Sequence, residues 1–311
     1  MKILITGPLG QDGIILTELL QNNHKLYGVC RMSTPIDRFN NHKEKYNIEL
    51  LLSELSDINY VNHLIKTINP DVVINFAGET DVINPWGDIF KTYEQNFIIP
   101  SNILNAISKY NRDIYFFQSS SSLMYGRSEE KIINEKSKSS PMFPYGVSKL
   151  STHNLFNEFK IKYGIRGCSG IFFNHESTHR NQKFITKKLS KLIFKILNGS
   201  QEKIKLFDLN FYRDVSHAED FMSGVKMIIE SGINEDFVFS SGESINFLEF
   251  SKRFFYLHNL NFYDYIDYTD SKNYPNDYNL IGDNSKLKSI GWSPKYDIDG
   301  LIIDMIKKEI I

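Results

Sequence analysis

The amino-acid sequence predicts an α/β fold, a doubly wound parallel sheet with a smaller C-terminal lobe. Short runs of β-branched and aromatic residues alternate with stretches of helical length through the first half of the chain. Such alternation is typical of βαβ units, in which helices cover both faces of a parallel sheet. The alternation decays after residue 172. We therefore expect residues 1–172 to form the sheet domain and residues 173–311 mainly the lobe, with some segments returning to the sheet.

Apolar runs and their periodicity define the individual elements. The predicted strands are Lys2–Thr6, Lys25–Cys30, Val72–Phe76, Ile114–Gln118 and Arg166–Phe172. The predicted helices are Asp12–Gln21, Ile58–Ile68, Thr92–Lys109, Tyr145–Tyr163, Phe184–Asn198 and Glu219–Ser231. The stretch Phe207–His217 has neither period, and we expect a loop there.

Composition excludes several classes of function. The 311 residues carry 36 Lys and Arg against 37 Asp and Glu, so no positive field exists to attract nucleic acid or a membrane surface. Two cysteines, Cys30 and Cys168, are too few for a disulfide framework and favour a reducing compartment. The apolar run at the N-terminus is too short for a signal peptide. We expect a cytoplasmic protein without nucleic-acid or membrane partners.

A glycine-rich turn follows the first strand, with glycines at Gly7, Gly10 and Gly13. In a dinucleotide site the first glycine permits the tight turn, and the others admit the pyrophosphate and close helix packing. The helix that follows presents its positive end to the phosphates. This pattern predicts a Rossmann-type site for NAD, with NADP not excluded. The second strand ends at Arg31, which could bind a 2′-phosphate, stack on adenine or lie in solvent.

Three further residues suggest oxidation of an alcohol. Tyr145 and Lys149 lie four residues apart and share a helix face. The lysine, together with a nicotinamide ring, would lower the tyrosine pKa, so that a phenolate can take a hydroxyl proton as hydride leaves. Ser121, at the carboxyl end of a central strand, would hold that hydroxyl. A Tyr–Lys pair alone is usually a surface pair, but the three residues together predict catalysis.

Over nearly its whole length, the chain resembles the extended short-chain dehydrogenases/reductases of nucleotide sugars, and more narrowly the GDP-mannose 4,6-dehydratases. The segments that carry the resemblance are residues 6–13, 174–177, 184–188, 213–214, 217–218 and 282–292. The resemblance implies a nucleotide-sugar substrate, GDP-linked and of manno type. It also makes plausible a homodimer through the helices Thr92–Lys109 and Tyr145–Tyr163.

The resemblance also implies individual contacts. Those expected at the cofactor, besides the three glycines, are Gln11, Asp12, Arg31, Glu54, Leu55, Ala77, Tyr145 and Lys149. Those expected at the substrate are Ser122, Leu123, Asn174, Lys188, Arg213 and Asp277. The arginine that the family places at the diphosphate is Tyr274 here. His175 and His217 lack metal-ligand spacing, so we expect no metal.

A second departure from the dehydratases bears on the reaction itself. They oxidise the sugar at C4 and then lose water across C5 and C6, for which they use a Glu two residues after the serine or threonine. That position is Leu123, and an aliphatic group cannot carry a proton. We therefore predict an NAD(P)-dependent 4-dehydrogenase that makes the 4-keto sugar without dehydration. The alternatives are a 4-epimerase and a 4-ketoreductase working in reverse. A non-catalytic binding module would not need the intact Ser–Tyr–Lys set.

Overall fold

The computed structural model describes residues 1–79, 84, 86–270 and 279–307. The strands of this part of the chain are β1 (Lys2–Thr6), β2 (Lys25–Cys30), β3 (Ile48–Leu52), β4 (Val72–Asn75), β5 (Tyr115–Ser121), β6 (Ile132–Ile133), β7 (Gly167–Phe172), β8 (Asn174–Glu176), β9 (Ile204–Phe207), β10 (Tyr212–Arg213), β11 (Val215–His217), β12 (Phe237–Phe239), β13 (Ile245–Asn246), β14 (Ile266–Thr269) and β15 (Ile281–Gly282).

The α-helices of the same part are α1 (Gln11–Leu20), α2 (Ile36–Lys45), α3 (Ile58–Ile68), α4 (Ile89–Tyr93), α5 (Ile99–Tyr110), α6 (Pro144–Tyr163), α7 (Ile185–Leu197), α8 (Ala218–Ser231), α9 (Phe247–Tyr256), α10 (Phe262–Tyr265), α11 (Ser285–Ser289) and α12 (Ile298–Lys307). A π-helical turn, Glu94–Ile98, joins α4 to α5, and a 3₁₀ turn, Ser122–Met124, follows β5. No helix in these ranges is long and apolar enough to cross a bilayer.

Seven parallel strands form the central sheet in the order β12-β7-β5-β4-β1-β2-β3. Helices cover both faces, and separate apolar clusters lie on the two sides of the sheet. The predicted α/β fold is therefore confirmed. The strand order changes direction between β1 and β4, and ligands of such sheets bind beyond the carboxyl ends of the strands at this switch point.

The structure differs from the sequence prediction at short elements. β3 and β12 were not predicted. β12 has only three residues, and β3 is rich in leucine, which does not favour a strand over a helix. The expected loop at Phe207–His217 contains β10 and β11, which pair with segments distant in sequence. The predicted helix Thr92–Lys109 is interrupted by the π-helical turn. Each difference depends on tertiary contacts, which periodicity does not report.

The second lobe has its own apolar core. Helices α7, α9 and α12 supply most of it, including Leu189, Phe250, Phe254 and Met305, each of which is fully buried. Phe262 lies in the same core at 4% exposure. The aromatic residues after α9 therefore contribute to packing of this lobe.

The Asp214 carboxylate connects the lobe to the edge of the sheet. It accepts hydrogen bonds from the Ser241 amide and hydroxyl (2.7 Å each), the Gly242 amide (3.2 Å) and the Gly282 amide (3.1 Å). Only 1% of Asp214 is exposed, so water cannot take the place of its carboxylate as the acceptor for these donors. The carboxylate thus fixes the backbone directly after Arg213.

We predict that Asp214→Ala lowers the free energy of unfolding by about 3 kcal/mol, because several buried donors lose their acceptor. Asp267→Ala is the matched control. Its partner Lys205 is exposed and 3.9 Å away, so a loss below about 0.5 kcal/mol is expected. Denaturant unfolding measures both variants, and equal small losses would contradict this account of Asp214.

Candidate active site

Backbone atoms pack closely around the glycines of the turn between β1 and α1. Gly7 has a φ of +68°, and a Cβ there would lie 3.1 Å from the Ala77 amide nitrogen. A Cβ on Gly13 would lie 2.4 Å from the Gly7 carbonyl oxygen. Helix α1 begins after Gly10 without a side-chain cap, so its first amides are free to meet an anion. The turn fits the pyrophosphate of a dinucleotide.

The other predicted cofactor residues lie at neighbouring strand ends. Ala77 follows β4, and its amide donates to the Thr6 hydroxyl (3.0 Å). Glu54 follows β3 and Arg31 follows β2, and both are exposed. Leu55 is 5% exposed and packs into the apolar core, which leaves mainly its backbone to face a ligand.

A buried chain of hydrogen bonds crosses the strand ends. The Thr6 hydroxyl donates to Asn75 Oδ1 (2.6 Å), and Asn75 Nδ2 donates to Gln118 Oε1 (2.9 Å). Gln118 Nε2 donates to the Ser119 carbonyl (2.7 Å), which also accepts from Lys149 Nζ (2.9 Å). Asn75 and Gln118 were not predicted from the sequence. Their position as polar residues at the ends of apolar runs could have indicated this hydrogen-bonded chain.

Ser121, Tyr145 and Lys149 meet at this edge of the sheet. Tyr145 lies in the first turn of α6 and shares a hydrogen bond with Ser121. Lys149 Nζ lies 5.7 Å from the centre of the Tyr145 ring. Burial raises the pKa of Tyr145 to about 12, against the effects of Ser121 and the charge of Arg180. Burial lowers the pKa of Lys149 to about 8, against the charge of Asp12.

The lowered Tyr145 pKa that the sequence predicts includes the charge of a nicotinamide ring, and it stays a prediction. In the chain alone the Tyr145 pKa is raised, because desolvation of the phenolate outweighs the nearby positive charge. The cation that opposes burial here is Arg180, which was not among the residues predicted from the sequence. The position of Arg180, three residues after the Asn174–Ser177 run, could have indicated that its charge lies near this site.

The glycine turn and the Asn174–Ser177 run contact each other directly. Gln11 Nε2 donates to the His175 carbonyl (3.1 Å), and the Ser177 hydroxyl donates to Gln11 Oε1 (2.9 Å). His175 Nε2 lies 3.0 Å from Asp12 Oδ1, and its Nδ1 lies 2.8 Å from the Phe173 carbonyl. Both ring nitrogens therefore face acceptors, which favours the imidazolium.

Charge and burial compete at this pair. Burial opposes ionisation of Asp12, but the charge and hydrogen bond of His175 bring the net pKa below its usual value. Burial likewise opposes protonation of His175, and Asp12 raises the net pKa of the imidazole. Arg180 also acts on both groups, and its guanidinium stacks 3.8 Å from the centre of the Phe184 ring.

The predicted substrate residues lie on several elements. Strand β8 pairs with β11, so Asn174 Nδ2 reaches the Asp214 carbonyl (3.3 Å) beside Arg213. Lys188 lies on α7, where it lines a cavity of about 330 Å³ with Lys191 and apolar residues of α7 and β9. Asp277 and Tyr274 lie outside the described residues.

Ser122 and Leu123 lie half-buried in the 3₁₀ turn. The Leu123 amide donates to the Ser121 hydroxyl (3.2 Å). A Cβ on Gly146 would lie 2.5 Å from the Leu123 carbonyl oxygen, so the turn packs against the start of α6 beside Tyr145. The position of the family's Glu is therefore part of this site. Among the described residues, no group of three potential metal ligands is found.

We predict a pH dependence of stability from Lys149. Its pKa is about 8 in the folded chain against an ordinary value of 10.5, so between these values the folded chain binds fewer protons than the unfolded chain. The contribution of Lys149 to stability is lowest below about pH 8 and rises up to pH 10.5.

Lys149→Met should remove this dependence. The difference in unfolding free energy, wild type minus variant, should then grow over the same pH range in denaturant titrations. Lys162→Met, at an exposed lysine of the same helix, is the control, and its difference should stay flat. A flat difference for Lys149→Met would contradict the burial of its charge.

Comparison with known proteins identifies similar chains. A family model described as GDP-mannose 4,6 dehydratase matches residues 4–305. GDP-mannose 4,6 dehydratase 1 of Arabidopsis thaliana is 30% identical over 322 residues, which cover 99% of this chain and 89% of that protein. The human GDP-mannose 4,6 dehydratase is 28% identical, with 99% and 91% covered.

Solved structures share the fold at lower identity. The UDP-glucose 4-epimerase of Thermotoga maritima with UDP-glucose has a TM-score of 0.85 at 20% identity, with 100% of both chains covered. The dTDP-glucose 4,6-dehydratase of Bacillus anthracis in complex with NAD has a TM-score of 0.83 at 20% identity, with 99% and 96% covered. RMD of Pseudomonas aeruginosa complexed with NADPH has a TM-score of 0.80 at 21% identity, with 98% of both covered.

Proposed function

Because the chain belongs to the GDP-mannose 4,6-dehydratase family, we propose that it oxidises C4 of a GDP-linked, manno-type sugar and stops at the ketone. It is an NAD(P)-dependent enzyme of nucleotide-sugar metabolism. The observation that carries the proposal is Leu123, which occupies the position of the family's eliminating Glu beside an otherwise complete Ser121–Tyr145–Lys149 set.

The cofactor would lie along the switch point of the sheet. Gly7, Gly10 and Gly13 and the first amides of α1 would hold its pyrophosphate, and Lys149 would face its nicotinamide ribose. When bound, NAD(P) supplies the hydride acceptor and a positive ring that favours the Tyr145 phenolate.

The chain's own residues then handle the proton. Ser121 holds the C4 hydroxyl in line, and Tyr145 takes its proton as the C4–H bond breaks. Lys149 keeps a positive charge beside the phenolate at neutral pH, because its pKa of about 8 lies above the working range. Arg180 adds a second positive charge that favours the phenolate.

Elimination of water would require a further proton carrier. At the described strand ends around Tyr145, three acids come into question. Asp12 is paired with His175, and Glu79 lies 3.5 Å from Lys91 and 4.0 Å from Lys183. Glu176 lies 3.2 Å from Arg180 and accepts from the Thr186 hydroxyl (2.6 Å). All three carboxylates are thus engaged by cations, and none follows Ser121 as the family's Glu does. This supports chemistry that ends at the 4-keto sugar.

The nucleotide would be bound by the second lobe. Asn174 donates to the Asp214 carbonyl, directly after Arg213, and an amide and a guanidinium in neighbouring positions suit a diphosphate. The cavity beside α7 is lined by four lysines, by Gln182 and Glu202 and by three apolar side chains, and Glu202 is paired with Lys195 (2.7 Å). The other lysines, Lys188 among them, suit a phosphate. A homodimer through α5 and α6 accords with exposed apolar side chains such as Ile161. A cytoplasmic location remains our expectation.

A 4-epimerase is the second candidate. The structural match to the Thermotoga maritima 4-epimerase covers both chains completely, and epimerases need no eliminating carboxylate. After oxidation, the ketone would rotate and be reduced from its other face. The dehydrogenase is preferred because the residues that resemble the dehydratases imply a pocket that holds the sugar in one orientation.

We predict that the protein, incubated with NAD⁺ or NADP⁺ and a panel of nucleotide sugars, forms a product lighter by two hydrogens. Reduced cofactor should accumulate in equal amount. Tyr145→Phe should lower turnover by about 10²-fold or more and still bind cofactor. Mass spectrometry and NMR of the product decide the question: loss of water would show a dehydratase, and unchanged mass with inverted C4 in the NMR spectrum an epimerase.

A second prediction concerns the substituted position itself. Leu123→Glu should produce a detectable fraction of dehydrated sugar, because it restores a proton carrier two residues after Ser121. Leu123→Gln has nearly the same shape and should produce none. If both variants form only the ketone, the pocket differs from the dehydratases at more than this residue.

A further inference from the structure

The Arg213 guanidinium lies against an aromatic ring that precedes it by two residues. Its central carbon is 4.5 Å from the centre of the Phe211 ring, and its Nη1 donates to the Tyr212 carbonyl (2.6 Å). At this distance the ring attracts the cation and limits the positions that the guanidinium can take. The side chain that we expect at the diphosphate is therefore held by its own neighbours in the chain.

The Phe211 ring is fixed by contacts with the second lobe. It stacks on the Phe247 ring, with 4.9 Å between the ring centres and an angle of 17° between the planes. The Phe247 amide also donates to the Phe211 carbonyl (2.7 Å). Phe247 in turn contacts the ring of Phe250, which is fully buried in the core of the lobe. The core of the lobe thus sets the position of the ring that Arg213 contacts.

The backbone on the other side of Arg213 is fixed as well. The Asp214 carboxylate accepts from the amides of Ser241, Gly242 and Gly282, which belong to two separate segments. These bonds hold the peptide that directly follows Arg213. The arginine therefore has a fixed ring two residues before it and a fixed carboxylate directly after it.

Such support matters for the binding of an anion. An arginine that is already held in place loses less conformational freedom when it binds a diphosphate, so the affinity is higher. This chain also has Tyr274, outside the described residues, where the family places a further arginine, so more of the binding depends on Arg213. We infer that Phe211 is a positioning residue, which holds Arg213 for the diphosphate of the nucleotide sugar. This inference rests on the proposed function.

The test is equilibrium binding of GDP-mannose, followed by calorimetry. Phe211→Leu keeps an apolar side chain but removes the ring, and it should weaken binding about fivefold, the worth of one cation–aromatic contact. Phe211→Tyr keeps the ring and should bind within about twofold of the wild type. In an Arg213→Ala background, Phe211→Leu should cause no further loss, because the ring acts through the arginine.

Tyr263→Leu is the matched control. It removes a similar contact from the surface of the same lobe, where Lys252 Nζ lies 5.6 Å from the centre of the exposed Tyr263 ring. The control should leave the affinity for GDP-mannose unchanged. NADH binding checks that each variant is folded, and Phe211→Met replaces Phe211→Leu if the latter fails this check.

Two results would overturn the inference and leave the proposed function standing. One is a Phe211→Leu variant that binds GDP-mannose as tightly as the wild type. The other is an equal loss from Phe211→Leu with and without Arg213, because the ring would then act by general packing. A wild-type protein that binds neither GDP-mannose nor UDP-glucose would instead overturn the proposed function, and this inference with it.

Discussion

A buried ammonium group is the constraint on which the arrangement of this site depends. Lys149 is 5% exposed, and an unpaired charge at that depth would cost several kcal/mol. The Ser119 carbonyl accepts from it, and that carbonyl ends a chain of amides and a hydroxyl across β1, β4 and β5. The hydrogen bonds that lead from the Lys149 ammonium therefore hold the ends of three strands together. Tyr145, one helical turn earlier on α6, is positioned by the same contact.

The two segments that most strongly carry the family resemblance form one structural unit. Gln11 and Asp12 of the glycine turn bind His175 and Ser177, after which the chain enters the second lobe. The hydrogen bonds and the ion pair thus link the cofactor turn directly to the strand that carries Asn174. Because burial makes a broken pair costly, the two binding regions are held in a constant relation. The segments that carry the resemblance are therefore also segments that connect the sheet to the second lobe.

Within this frame, function depends on a few side chains. The fold is shared with dehydratases and epimerases of nucleotide sugars at about 20% identity, so the fold alone does not select a reaction. In the proposed reaction, Ser121, Tyr145 and Lys149 would oxidise an alcohol. Leu123 lies in the turn after Ser121 without a group that can carry a proton. Our proposal therefore combines the fold of a dehydratase with a reaction that ends at the ketone.

The sequence by itself determined the fold class, the glycine turn and the candidate Ser–Tyr–Lys set, since these follow from periodicity and from spacing within single elements. It did not locate β3, which is rich in leucine, or β12, which has only three residues. It also did not indicate that Arg180 lies close enough to Tyr145 to oppose the effect of burial on its pKa. Desolvation and contacts between distant segments arise only when the chain is folded, so tertiary structure alone decided them.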